Sequence, residues 1–222
     1  MKDMPRALFE GYIAFKYGRF RTERARYREL ADTGQKPELM VIGCCDSRAA
    51  PEVIFDAVPG QVFTVRNVAN LVPPYDPDGE FHGTSAALEY AVQALHVKHI
   101  LVLGHARCGG IAASLARDTN PLTRDDFIGK WISMVDAARG DLEAMDPPAE
   151  NRIETLEKLS IIRSLANLRT FPCIQSLEPR GEVHLHGAYF DIESGELSWF
   201  DKQSQAFKTV EYGMNWPMKF GD

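Results

Sequence analysis

The chain has 222 residues, enough for one well-buried core or at most two small ones. Its 45% apolar and 25% charged residues are the ordinary mix of a globular protein. A net charge of −6 without a basic stretch argues against nucleic-acid binding, and no apolar run is long enough to span a membrane. Met1 to Phe20 carry scattered charge and no apolar segment of a signal peptide. The cysteines are Cys44, Cys45, Cys108 and Cys173; an adjacent pair makes a poor disulfide framework, so a reduced, cytoplasmic protein is expected.

Residues 6–31 place Leu8, Tyr12, Phe15, Phe20, Tyr27 and Leu30 among many arginines, which predicts one or two amphipathic helices broken near Gly18. Their apolar side suits a partner subunit as well as the chain's own core. Strands and helices then alternate. Residues 39–43 read as a strand, Pro51 to Phe55 as a short helix and 62–65 as a second strand. Three prolines and a glycine make 72–79 a loop. Thr84 or Ser85 can cap a helix to about Leu95 that buries Ala87, Leu88, Ala91 and Leu95.

The third strand is 99–103, and Gly109-Gly110 opens a helix to about Ala116. A polar segment, 117–126, precedes a helix near 127–138, and Asp141 to Pro148 reads as a break. Residues 150–170 form a long amphipathic helix with Ile153, Leu156, Leu159, Ile162 and Leu165 near helical spacing. Val183 to Asp191 and Glu196 to Phe200 flank a turn and predict a hairpin. The alternation predicts an α/β fold with a mainly parallel central sheet flanked by helices. Ligands of such sheets bind beyond the carboxyl ends of the strands.

Two of those ends carry chemistry. The first strand leads into Cys44, and the third leads into His105, with Cys108 three residues on. Two thiols and one imidazole match the donor count of a catalytic zinc, one per chain, which keeps a fourth position open. Asp46 can bind such an ion itself, or accept a hydrogen bond from the nucleophile the ion carries. Arg48 decides between these roles, because a guanidinium paired with Asp46 keeps the carboxylate ionised and off the metal. Gly109 and Gly110 at a helix start expose backbone N–H groups suited to an anion.

Cys44-x-Asp46-Ser47-Arg48, then Arg66-Asn67-Val68-Ala69-Asn70, then Gly104-His105-x-x-Cys108-Gly109-Gly110 resemble the β-class carbonic anhydrases. The resemblance covers roughly residues 35–112 and extends more weakly into the 150–170 helix and the C-terminal strands. It implies a zinc lyase that hydrates carbon dioxide reversibly to bicarbonate and a proton. It also implies a homodimer, or a larger homo-oligomer built from dimers, whose active sites form at the dimer. The chain is then one domain, 1–222, with a helical arm, 1–34, packing on the partner and an α/β core, 35–222.

By motif, Cys44, His105 and Cys108 become the zinc ligands, and Asp46 with Arg48 the catalytic dyad. Gln35 matches a plant-type amide donor to substrate. Phe63 and Tyr90 match that subgroup's pocket wall, often contributed across the dimer, and the Gly109 N–H steadies the oxygens of bicarbonate. Cys45 stands where serine is common and Arg107 where a small residue is frequent. Val41 replaces the tryptophan with which one bacterial subgroup forms a regulatory bicarbonate pocket. Arg66 matches another part of that pocket, which is not expected here.

Two rival readings share the motifs: hydrolysis of a sulfur analogue such as carbon disulfide or carbonyl sulfide, and a non-catalytic zinc- or bicarbonate-sensing interaction protein. A thiol redox module fits poorly, since Cys44-Cys45 lacks the Cys-x-x-Cys spacing. His82, His96 and His99 have no usable spacing. His184 and His186 alternate on a strand and share one face. With no third ligand apparent, they read as an ordinary strand face, although they could also pass protons.

Overall fold

The structure is a computed structural model that describes residues 4–78, 82–116, 126–211 and 213. Its helices are α1 (Arg6–Tyr17), α2 (Arg19–Thr33), α3 (Pro51–Ile54), α4 (Gly83–Glu89), α5 (Gly109–Leu115), α6 (Phe127–Ile132), α7 (Asp136–Met145), α8 (Arg152–Leu168) and α9 (Pro172–Leu177). Its strands are β1 (Leu39–Cys44), β2 (Val62–Asn67), β3 (His99–His105), β4 (His184–Phe190), β5 (Leu197–Asp201) and β6 (Ala206–Thr209). The sheet order is β2-β1-β3-β4-β5-β6. The first four strands in that order are parallel; β5 pairs antiparallel with β4, and β6 antiparallel with β5. A mainly parallel sheet with flanking helices is the α/β architecture the alternation predicts.

As expected, the N-terminal helices break at Gly18. Phe15, Phe20 and Tyr27 pack on one another with ring centroids 5.2 to 6.0 Å apart. No residue of α1 or α2 is buried, and Leu8 remains 65% exposed beside exposed Phe9 and Tyr12. The hairpin is held to the body through α2, where the Arg26 guanidinium donates to the Pro59 carbonyl.

β1 and β3 are near-continuous apolar runs because both of their faces are covered. On one face Met40, Ile42, Ile100, Val102 and Leu185 meet Leu88 of α4 and Ile161, Leu165 and Leu168 of α8. On the other, Val41, Leu101, Leu103 and Ala188 meet Ile54, Phe55 and Trp199. Gly104 and Gly187 let α8 lie close to the sheet, since a Cβ at either would sit 2.6 or 2.9 Å from the Ile161 side chain. Gly187→Ala is therefore expected to cost about 1–3 kcal/mol by overpacking, read as a lower midpoint in denaturant unfolding. An unchanged midpoint would show that Ile161 can move aside.

Several elements depart from their sequence reading. Thr84 does not cap α4 but is buried within it, accepting a hydrogen bond from Asn67 Nδ2 at 3.2 Å. A π turn at Tyr90–Ala94 then turns the chain, so Thr84, Leu88, Ala91 and Val92 are buried while Ala87 and Leu95 are only partly so. The helix near 127–138 is α6, a 3₁₀ turn at Ser133–Val135 and then α7. α7 runs through Asp141, which Arg163 of α8 grips, and ends only where Asp146 turns left-handed at φ 43. In α8 the buried stripe is Leu156, Glu157, Ser160, Ile161, Ser164, Leu165 and Leu168, while Ile153, Leu159 and Ile162 are half-buried. α9 and β6 lacked a readable period. Gly79 and residues 117–125 of the expected loops lie outside the described residues.

Candidate metal centre and active site

Cys44 ends β1 and His105 ends the neighbouring β3, so the sheet itself brings them together. Cys108 follows a tight turn in which Arg107 is left-handed, φ 57, and it immediately precedes α5. All three residues are buried, and one donor atom from each lies within 4.8 Å of the others. The two Sγ atoms are 4.0 Å apart. Two thiolates on a tetrahedral zinc, each about 2.3 Å from it, would be about 3.8 Å apart.

The His105 Nδ1 donates to the Ala106 carbonyl at 2.9 Å, which fixes the tautomer and leaves the Nε2 lone pair for the thiols' side of the ring. That Nε2 is buried and has no hydrogen-bond partner among the described residues. An orphaned buried nitrogen is costly unless something binds it, and a cation shared with two thiolates does so. The donor set therefore fits zinc. The thiols share one proton: the hydrogen bond from Cys108 pushes Cys44 down to about 4, and the same interaction pushes Cys108 up. Backbone N–H groups of Asp46 and Ala69 also favour the Cys44 thiolate. A borderline-soft divalent ion would take the place of the proton between the two sulfurs.

Asp46 stands beside this group. Arg48 donates to both of its oxygens, Nε to Oδ1 at 2.9 Å and Nη2 to Oδ2 at 2.7 Å, and the Arg48 backbone N–H adds a third bond at 2.9 Å. These bonds, the guanidinium's first, hold the carboxyl well below the usual carboxylate range. Asp46 Oδ2 lies 4.0 Å from His105 Nε2. The Arg66 guanidinium donates to the carbonyls of Cys44, at 2.8 Å, and Asp46, at 2.7 Å, so it fixes the loop that carries both. The Arg107 side chain pairs with Glu193 on the β4–β5 turn, while its carbonyl accepts from Arg48 at 3.3 Å.

Sequence reasoning missed Glu157. It is 3% exposed, and its Oε1 accepts the Cys108 N–H at 2.7 Å while its Oε2 accepts the Tyr189 hydroxyl proton at 2.8 Å. Burial pushes its carboxyl up, against the pull of both hydrogen bonds. A signal was present: Glu157 shares a helical stripe with Ile161, Leu165 and Leu168, where a lone charge needs a buried partner.

Residues 39–197 match the family model described as carbonic anhydrase. The carbonic anhydrase of Pseudomonas aeruginosa is 35% identical over 209 residues, 92% of this chain and 91% of that protein. The solved β-carbonic anhydrase CcaA superposes with a TM-score of 0.85 at 31% identity, covering 93% of this chain and 92% of that one. The chain belongs to the β-carbonic anhydrase family. A tetrameric β-carbonic anhydrase of the ascomycete Sordaria macrospora is also similar, with a TM-score of 0.67 and 31% identity over 87% of this chain and 91% of that one. Among the described residues of this carbonic anhydrase, no helix is long and apolar enough to cross a membrane.

One protomer does not bring all of the expected site residues together. Phe63 pairs in register with Met40, four residues before Cys44, hence about 13 Å down the strands. The Tyr90 ring is 5.9 Å from that of Phe63. Gln35 is exposed and precedes β1, at the end of that strand opposite Cys44. Gly109 opens α5 directly after Cys108. In this carbonic anhydrase the Cys44–His105–Cys108 group and the Asp46–Arg48 pair are thus local, and the expected pocket wall is remote from them.

Proposed function

We propose that this β-carbonic anhydrase holds one zinc ion on Cys44, His105 and Cys108 and catalyses the reversible hydration of carbon dioxide to bicarbonate and a proton. The observation that carries this reading is the buried His105 Nε2, left without a hydrogen-bond partner among the described residues, beside two thiols, while its Nδ1 bonds to Ala106. A zinc ion, when bound, supplies the Lewis acidity that makes water nucleophilic near neutral pH. Asp46, kept ionised by Arg48, accepts a hydrogen bond from the nucleophile and so orients it. Arg66 keeps the Cys44–Asp46 loop in register with that task. The Gly109 N–H and the Gln35 amide donate to the substrate oxygens, and Phe63 and Tyr90 provide an apolar wall for carbon dioxide.

Gln35, Phe63 and Tyr90 lie far from their own Cys44, so they complete the site of a second copy. The exposed apolar residues of α1 support the same conclusion, since the arm, 1–34, needs a surface for them. The chain then works as one domain, 1–222, in a homodimer or an oligomer of dimers, as the tetrameric relative suggests. Free thiols at all four cysteines suit the cytoplasm.

The test is stopped-flow hydration of carbon dioxide between about pH 6.5 and 9 on protein of known zinc content. Turnover is expected to rise with pH, because the deprotonated nucleophile is the active form. No turnover at one zinc per chain would overturn the reading in favour of sulfur-analogue hydrolysis or sensing. Separately, Leu8→Asp with Tyr12→Asp is expected to shift sedimentation toward the monomer and to lower turnover. An unchanged mass would remove the arm from the interface.

A further inference from the structure

At the end of the sheet opposite Cys44, a cavity of about 1090 Å³ is lined by the starts of β1, β3 and β4, with His99, His184, His186 and Trp199 among its walls. β3 and β4 are in register with His99 opposite His184, which puts all three imidazoles on one face of the sheet. The third histidine that the His184/His186 alternation lacked in sequence is supplied from another strand. His99 Nδ1 and His186 Nε2 are 3.0 Å apart, so one of the two donates to the other. The His184 ring stacks on that of His99 at 5.2 Å, the same separation as between the rings of His99 and His186.

The His99–His186 distances are close to those of a metal site. Two imidazole nitrogens on a tetrahedral ion, each about 2.05 Å away, are about 3.3 Å apart, and their ring centres are about 5.2 Å apart. The His99–His186 pair needs to open by only a few tenths of an ångström. His184 and His186 are 6.5 Å apart, so His184 must turn to bring a nitrogen in. It is exposed at the strand start. Of the nearby cations, Lys98 is held by Glu38 at 2.7 Å and Lys202 by Glu178 at 3.8 Å. Burial, and then the neighbouring imidazole, keep His186 neutral by pushing it down to about 3, so proton competition for its lone pair is slight.

We propose that His99, His186 and a turned His184 form a second metal site, for a borderline ion of the zinc or nickel class, at the far end of the sheet from the Cys44 centre. Imidazole donors suit such ions, and neither Mg²⁺ nor Ca²⁺. The site does not depend on the proposed catalytic reading, since it shares no residue with it.

The experiment is equilibrium dialysis of the zinc-loaded protein against micromolar free Zn²⁺, with metal counted by plasma mass spectrometry. Two zinc ions per wild-type chain are expected, and one in His186→Gln. His184→Gln, a surface change that leaves the fold alone, is expected to weaken the second ion by about tenfold or more. His82→Gln is expected to retain two. A single zinc in the wild type would overturn the proposal. So would a second zinc that survives both His186→Gln and His184→Gln, because it would then sit elsewhere.

Discussion

Asp46→Asn is expected to lower turnover by about a hundredfold or more while zinc remains bound. The amide has the carboxylate's shape but adds two donors and loses the charge. Arg48 would keep at most part of its fork, and an N–H could face the nucleophile where only an acceptor orients it correctly. Asp46 is ionised far below neutrality, so it stays charged throughout any assay range. The loss should therefore be uniform with pH, scaling the rate profile down without moving its midpoint. Zinc content should hold, because the converging donors are Cys44, His105 and Cys108. Normal turnover would remove Asp46 from catalysis, and lost zinc would make it a ligand.

What the sequence made legible follows from how locally each feature is determined. Cys44, Asp46 and Arg48 lie within five consecutive residues, and His105 and Cys108 within one turn, so their geometry is nearly set by the backbone that follows each strand. The strands were readable because parallel strands buried on both faces are apolar throughout. Features fixed by distant contacts were not. Thr84 looks like a cap until Asn67, 17 residues away in sequence, is seen to bind it inside the core. The expected break begins only at Asp146, because α7 runs on through Asp141, whose carboxylate Arg163 pairs with from 22 residues away. The remoteness of Gln35, Phe63 and Tyr90 from the ligands depends on strand register, which the motif spacing does not encode.

Glu157 is the sharpest of these cases and supports the second large effect. Glu157→Ala would strip partners from two buried groups, the Cys108 N–H and the Tyr189 hydroxyl, and would leave a void under the Cys108 turn. The expected cost is about 2–5 kcal/mol in denaturant unfolding of the zinc-loaded protein. Glu157→Gln separates shape from charge. Its amide oxygen can still accept the Cys108 N–H, and its amide nitrogen can donate to the Tyr189 oxygen, so the cost should be about 1 kcal/mol or less. Both Glu157 oxygens accept hydrogen bonds without needing a proton of their own, which fits an ionised carboxylate behind Cys108. Removing that negative charge makes the centre more electropositive, so the midpoint of the pH–rate profile should move to lower pH. A merely structural glutamate would leave the midpoint in place, and a Gln variant as unstable as the Ala variant would contradict the hydrogen-bond geometry. A shifted midpoint with little loss of stability would identify Glu157 as a positioning residue that tunes the metal through the ligand it holds.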